Sequence, residues 1–256
     1  MNIVLLRGLV REQRHWGEFK DLVAKTFPQA KVLLLDIPGT GTRCDELSPS
    51  NFDQMISQIR EEYLSKKAPG STTIIAQSLG GMLAKRWSEL HPQEFDRMIL
   101  INSSFKGINP IHKRLRPKAW LDFLNIFINQ KLEQREKLIL KLVSNDIEKQ
   151  NENLKSWCEI QTSAPVKKVS FINQILAAVT FNPSKIAPDT QLMLIASKGD
   201  RLCSYECSME LSKRWGVPVE LHPDAGHDLP IDAPNWLIER IESFIHSPGS
   251  NHSKSS

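Results

Sequence analysis

The chain has 256 residues, of which 40% are hydrophobic and 24% are charged, and its formal net charge is +4 at pH 7. This length suits one large α/β domain with an insertion, or two small domains, and the composition is that of an ordinary globular protein. No segment approaches 18 uninterrupted apolar residues and no secretory signal is recognisable, so we expect a cytoplasmic protein without membrane contact, with its four cysteines as free thiols.

Short apolar runs alternate with segments of helical period along most of the chain. The runs are continuous rather than alternating, which is typical of strands buried on both faces of a parallel sheet. Strands that alternate with helices indicate a doubly wound α/β sheet with right-handed crossovers. The predicted strands are Ile3–Leu6, Lys31–Leu35, Thr72–Ile75, Met98–Ile101, Leu192–Ala196 and Val217–Leu221, and the predicted helices between or after them are Trp16–Thr26, Phe52–Ser65, Gly81–His91, Ser204–Trp215 and Pro234–His246.

The alternation stops after the fourth predicted strand. From about Ile108 to Ala187 the pattern is helical, with predicted helices at Ala119–Asn129, Glu133–Ser144 and Lys168–Thr180. Because this segment lies between two strands, we interpret it as a helical cap inserted into the core domain. The predicted organisation is a core of residues 1–107 and 187–246, a cap of residues 108–186, and a disordered tail of residues 247–256, which lacks an apolar anchor.

A sharp strand-to-helix turn is predicted around Ser78, in the segment Ile74-Ile75-Ala76-Gln77-Ser78-Leu79-Gly80-Gly81. A serine at the apex of such a turn has a strained backbone, so the residues two before and two after it must be small. Ala76 stands where the usual G-x-S-x-G pattern has glycine. The pattern favours Ser78 as a nucleophile, and the alternative is a serine that merely caps the following helix.

A serine hydroxyl needs a general base, and the loop after the last predicted strand supplies histidines. His227 follows Gly226, whose conformational freedom lets the loop turn the imidazole inward. His222 lies at the strand end, before a proline, and is the weaker candidate. We therefore predict His227 as the base.

The imidazole in turn needs a carboxylate to fix its tautomer. Asp200 follows the strand Leu192–Ala196, at the sheet edge where open α/β sheets bind substrates. The chain order serine, aspartate, histidine supports Asp200, and Asp224 and Asp228 remain as alternatives. The backbone N–H groups of Leu9 and Leu79 are predicted to form the oxyanion hole.

These motifs resemble those of the α/β-hydrolase superfamily, and the chain looks most like the cap-bearing bacterial carboxylesterases that include the pimeloyl-[acyl-carrier protein] methyl ester esterases of biotin synthesis. The resemblance implies the same nucleophile, base and acid and no metal or organic cofactor. Arg7 replaces a usual histidine, and the family's N-terminal hairpin is missing, so about six strands are expected. The matching residues are Arg7-Gly8 with Trp16, Asp36-Ile37-Pro38-Gly39-Thr40-Gly41, Gln77-Ser78-Leu79-Gly80-Gly81, Gly199-Asp200 and Gly226-His227-Asp228.

The substrate depends on the predicted cap. Apolar residues that are candidates for substrate binding are Trp16, Trp120, Phe123 and Phe127, although packing within the cap is the alternative for most of them. A basic cluster, Lys113, Arg114, Arg116 and Lys118, is either a solvated loop or a docking patch for an acidic partner such as acyl carrier protein.

The sequence thus predicts a serine hydrolase that cleaves a carboxylic ester through an acyl-enzyme, with a methyl ester of a carrier-bound acyl group as the preferred substrate. Thioesterase, lipase or lactonase chemistry on the same triad is the alternative. A second class of function is haloperoxidase chemistry, which uses a similar triad. A third is a non-catalytic protein that has the hydrolase fold and serves only for binding. No nucleic-acid partner is predicted, because the basic residues lack a recognisable binding module.

Overall fold

The computed structural model describes residues 1–247 and has a six-stranded, all-parallel sheet at its centre. The strand order is β2-β1-β3-β4-β5-β6, and the strands are β1 (Asn2–Leu6), β2 (Lys31–Leu35), β3 (Thr72–Gln77), β4 (Arg97–Ile101), β5 (Gln191–Ser197) and β6 (Val219–His222). The predicted doubly wound sheet of about six strands is confirmed. Of the predicted tail, all but Ser247 lies outside the described residues.

The strands are apolar throughout because both faces of the sheet are covered. Neighbouring residues of β1 enter different cores: Val4 and Leu6 pack into one, and Ile3 and Leu5 into the other. The first core is closed by helices α2 (Phe52–Lys66), α3 (Leu79–Leu90) and α9 (Glu206–Trp215), and the second by α1 (Phe19–Thr26) and α11 (Pro234–His246).

Five helices lie between β4 and β5, as the predicted insertion requires. They are α4 (Ile111–Arg114), α5 (Pro117–Ile128), α6 (Leu132–Val143), α7 (Ile147–Ser163) and α8 (Lys168–Thr180), and a four-residue helix α10 (Leu229–Asp232) precedes α11. None of the helices in residues 1–247 is long and apolar enough to cross a membrane. The boundaries of the cap as a separate domain stay a prediction.

Helix α7 was not predicted, and its composition explains why. Its 17 residues are mostly polar, and of them only Trp157 and Ile160 are buried. The helix is stabilised at its start by Asp146, whose side chain accepts hydrogen bonds from the backbone N–H groups of Glu148 and Lys149. The two buried side chains pack with Leu140 in a small apolar cluster.

A buried ion pair joins the inserted helices to the core. The Arg11 guanidinium donates a 3.1 Å hydrogen bond to the Glu136 carboxylate of α6, and its Cζ atom lies 4.2 Å from the ring centroid of Trp157. His15 lies against the same guanidinium. Burial and the positive charge of Arg11 hold the pKa of His15 well below its ordinary value. The imidazole that lies against the Arg11 guanidinium is therefore neutral.

Candidate active site

Ser78 lies at a strained turn between β3 and α3. Its φ and ψ angles are 54° and −119°, a conformation that non-glycine residues rarely adopt. The turn is fixed by a 2.8 Å hydrogen bond from the Ser78 N–H to the Ile101 carbonyl at the end of β4, and by the Ser103 hydroxyl, which donates to the Ser78 carbonyl. Strain of this kind persists only where the neighbouring structure enforces it. The turn places the Ser78 hydroxyl beyond the end of β3.

Gly80 and Gly81 are glycines because neighbouring atoms leave no room for a side chain at either position. A Cβ atom on Gly80 would lie 2.5 Å from the carbonyl oxygens of Leu6 and Arg7, and one on Gly81 would collide with the Ser103 side chain. Ala76, two residues before the serine, is fully buried within β3. The alanine is accommodated within the sheet, whereas no side chain fits at position 80.

The loop after β1 passes directly beside the nucleophile candidate. A Cβ atom on Gly8 would lie 3.1 Å from the Ser78 Cβ and 3.6 Å from its Oγ. Leu79 is the first residue of α3, so its N–H has no acceptor within the helix. Among residues 1–247, no hydrogen-bond acceptor is found for the N–H groups of Leu9 or Leu79. The oxyanion-hole role of these two groups stays a prediction.

His227 and Asp200 are in direct contact. The His227 Nδ1 lies 2.7 Å from the Asp200 Oδ2, and both side chains are buried. The other carboxylate oxygen accepts hydrogen bonds from the backbone N–H groups of Leu202 and Cys203. Burial disfavours a charged imidazole, but the charge and hydrogen bond of Asp200 outweigh it, so the pKa of His227 is raised above its ordinary value.

Ser78 and His227 share the same cavities. One, of about 400 Å³, is largely apolar and is lined by both residues together with Leu9 and Leu79. A second, of about 90 Å³, lies on the side of the Arg7 and Arg11 loop and is also lined by Ser78 and His227. Within the described part of the chain the Ser78 hydroxyl makes no hydrogen bond to the imidazole.

Two amides hold the backbone of His227 in place. Gln77 and Asn102 each donate a side-chain hydrogen bond to the His227 carbonyl, at 2.9 Å and 2.8 Å. Asn102 also accepts a hydrogen bond from the Ser197 N–H, which connects the ends of β4 and β5. Asn102 has a positive φ of 47°, which asparagine tolerates better than most residues. This contact was not predicted from the sequence, although a polar residue directly after a buried strand is a usable signal.

The alternatives to His227 and Asp200 have other partners. His222 accepts hydrogen bonds from the backbone of Asp224 and Ala225, and Asp224 is exposed. Asp228 is buried against Arg7 in a two-pronged ion pair, with contacts of 3.0 Å and 2.6 Å. Arg7, which stands where the resemblance leads one to expect histidine, thus ties the loop after β1 to the loop after β6.

Trp16 is a correction to the predicted substrate-binding set. Its side chain is fully buried in the core between the sheet and α1, and it does not line the cavities that contain Ser78. The Arg7 guanidinium lies 5.0 Å from its ring centroid, so Trp16 supports the Arg7–Asp228 pair. Trp120, Phe123 and Phe127 all line the larger cavity, with Phe123 also lining the smaller one.

The basic cluster divides into different environments. Lys113 is ion-paired with Glu206 at 2.6 Å, and Arg114 turns inward to line the larger cavity. Arg116 is half-buried, and Lys118 is exposed. The cluster is therefore not one continuous solvated patch.

The segment after α6 fastens the inserted helices to the active-site loops. Asn145 donates hydrogen bonds to the carbonyls of Gly199 and Asp224, at 2.9 Å and 2.7 Å, and so bridges the loops before Asp200 and His227. Glycine is required at position 226 because a Cβ atom there would collide with the Val143 carbonyl. Among residues 1–247 no group of three or more His, Cys, Asp or Glu side chains is arranged to hold a metal ion.

Comparison with known proteins gives one family and several distant relatives. The Hydrolase_4 family, described as serine aminopeptidase S33, matches residues 3–234. The biotin biosynthesis bifunctional protein BioHC of Teredinibacter turnerae is 26% identical, but the alignment covers 95% of this chain and only 44% of that protein. The pimeloyl-[acyl-carrier protein] methyl ester esterase of Aliivibrio salmonicida is 23% identical over 98% of this chain and 87% of its own.

Solved structures share the fold at lower identity. A serine hydrolase from Cycloclasticus zankles superposes with a TM-score of 0.74 at 17% identity, covering 96% of this chain and 89% of that one. An esterase from Thermogutta terrifontis gives 0.72 at 14% identity, with coverage of 96% and 89%. At this identity the likeness establishes the α/β-hydrolase fold.

Replacing Asp200 with asparagine should lower the pKa of His227. The substitution removes the negative charge that favours the protonated imidazole, while burial, which favours the neutral form, remains. The measurement is an NMR titration of the His227 ring from pH 4 to 9. Asp224→Asn, which removes an exposed carboxylate on the neighbouring loop, is the matched control and should leave the titration unchanged. Equal shifts in both variants would contradict the assigned pair.

Arg7→Met should destabilise the protein by about 3–5 kcal/mol, because it leaves the buried Asp228 carboxylate without its partner. Adding Asp228→Asn should recover part of that loss, since the unpaired charge is then gone. Urea denaturation of the single and double variants measures the coupling. Lys155→Met breaks an exposed pair and should cost less than about 0.5 kcal/mol. Strictly additive costs at positions 7 and 228 would argue against the pairing.

Proposed function

Because the chain belongs to the Hydrolase_4 family, we propose that it is a serine esterase with Ser78 as nucleophile, His227 as general base and Asp200 as the acid that orients the histidine. The observation that carries the proposal is the 2.7 Å contact between His227 Nδ1 and Asp200, beside the strained turn that presents Ser78 to the same cavity. With Nδ1 engaged, Nε2 is the nitrogen left to accept the serine proton.

The reaction follows from these positions. The Ser78 Oγ attacks the ester carbonyl carbon while His227 takes the hydroxyl proton, and the oxyanion of the tetrahedral intermediate accepts hydrogen bonds from the Leu9 and Leu79 N–H groups. The C–O bond to the alcohol then breaks as His227 returns the proton to the leaving oxygen. Water attacks the acyl-enzyme by the same route and releases the acid.

Because the base must be neutral, kcat/KM should fall as the pH drops through the raised pKa of His227.

The cavity favours an ester over a peptide. An aminopeptidase, the activity for which the family is described, needs an anionic group to bind the free amino terminus of its substrate. The described residues that line the 400 Å³ cavity include no aspartate or glutamate, and Asp228 in the smaller cavity is already paired with Arg7. The lining is mainly apolar, which suits an acyl chain.

Within the esterases, the substrate class we favour is a methyl ester of an acyl group carried on acyl carrier protein. Relatives named as pimeloyl-[acyl-carrier protein] methyl ester esterases and the biotin bifunctional protein support this choice. Trp120, Phe123 and Phe127 would contact the acyl chain. Thioester, lipid ester or lactone hydrolysis on the same triad remains the alternative.

Ser78→Ala should abolish labelling by a fluorophosphonate probe and lower kcat for short p-nitrophenyl esters by about 10⁵- to 10⁶-fold, because the attacking oxygen is lost. Ser104→Ala is the matched control, since Ser104 lines the same cavity but has no assigned role in the chemistry. The control should still be labelled. If the wild-type protein is not labelled and hydrolyses none of the esters, a binding protein is the better description.

Reversing the charges of Arg116 and Lys118 should reduce turnover of a carrier-bound methyl ester relative to a small free ester. Acyl carrier protein is strongly acidic, so two new carboxylates at its docking surface would repel it. The measurement is the ratio of kcat/KM for the two substrates at low and high salt. A ratio that is unchanged by the substitutions and by salt would contradict docking at this surface.

A further inference from the structure

Arg114 introduces a positive charge into the wall of an otherwise largely apolar cavity. It is the last residue of α4 and is half-buried. The other ionisable residues of that wall are His227, already paired with Asp200, and the thiol of Cys203. A guanidinium in such a wall is unusual, because apolar surroundings are unfavourable for a charge.

The guanidinium is incompletely paired. Its Nη2 donates one hydrogen bond of 3.2 Å to the Ala178 carbonyl in the last turn of α8, and its Nε is buried without a partner. Within residues 1–247 no carboxylate lies within 4.0 Å of it, whereas the neighbouring Lys113 is paired with Glu206. Burial accordingly lowers the pKa of Arg114. An unpaired, partly buried cation is stabilised when an anion enters beside it.

We propose that Arg114 is the anion-binding residue of the acyl cavity and selects substrates with a negatively charged oxygen group at the end of the acyl chain remote from the scissile ester. The inference rests on the proposed esterase function and deepens it, since it names a feature of the substrate. A guanidinium recognises carboxylate and phosphate groups with its fork of N–H donors. Ser78 and Arg114 line the same cavity of about 400 Å³, which accommodates an acyl chain between the reacting carbonyl and the charged end.

The anionic group has two chemical sources. It is either the free carboxylate of a dicarboxylic acid esterified at one end, or the phosphate of a phosphopantetheine arm attached through a thioester to the far end of the chain. The recognition chemistry is the same for both, so the experiment has one arm for each.

In the first arm, monomethyl esters of dicarboxylic acids with five to nine carbons are compared with methyl esters of the alkanoic acids of equal length. In the second, a dicarboxylic acid methyl ester thioesterified to 4′-phosphopantetheine is compared with the same ester on pantetheine. The wild-type protein should prefer the charged member of at least one pair by about 10- to 100-fold in kcat/KM. Arg114→Met should reduce that preference to within about threefold of unity.

The control is Lys137→Met, which removes a positive charge from an exposed position on α6 that does not line the cavities holding Ser78. This variant should keep the wild-type preference. The proposal is overturned if the wild-type protein shows no preference in either arm. It is also overturned if Arg114→Met lowers the charged and neutral substrates equally, or if Lys137→Met removes the preference to the same extent.

A binding measurement separates this inference from the proposed function. In the Ser78→Ala background, calorimetry with the same pairs of esters should give tighter binding of the charged member, and adding Arg114→Met should remove the difference. If the wild-type protein hydrolyses none of the esters but the binding difference is present, the esterase proposal fails and the anion site stands. If hydrolysis is observed without any binding or rate preference, the anion site fails and the esterase proposal stands.

Discussion

The close approach of backbone segments at the carboxyl edge of the sheet is the constraint on which the site depends. The loop after β1 lies against Ser78, the backbone of that loop lies against Gly80, and the loop before Asp200 contacts the loop before His227. Side chains at positions 80 and 199 would collide with this neighbouring backbone, and one at position 8 would require a small shift at Ser78. Ser78, Asp200 and His227 follow strands that are distant in sequence, and this backbone packing brings the loops that carry them together at one edge of the sheet.

The fold was predictable because its main signal is local. Continuous apolar runs such as Ile3–Leu6 have strand character whatever their tertiary neighbours, and burial on both faces of the sheet explains the lack of alternation. Helix α7 was missed because few of its residues are apolar, so the sequence shows no helical repeat of apolar residues there.

The candidate site was predictable only in part. The turn at Ser78 and the order of Ser78, Asp200 and His227 are visible in the sequence, but the partners of these residues are not, because they depend on which loops meet in space. The Arg7–Asp228 pair joins residues 221 positions apart, and Gln77 and Asn102 converge on a carbonyl contributed by the last strand's loop. Trp16 was misplaced for the same reason, since a sequence does not reveal which face of the sheet a side chain enters.

The bridge made by Asn145 has a mechanical consequence. One amide group joins the segment after α6 to the two loops that carry Asp200 and His227, so the position of this end of the inserted helices is coupled to that of both loops. The α5 side chains Trp120, Leu124 and Phe127 are exposed, line the larger cavity and take no part in this bridge, so a shift of α5 alone would leave the two Asn145 hydrogen bonds intact.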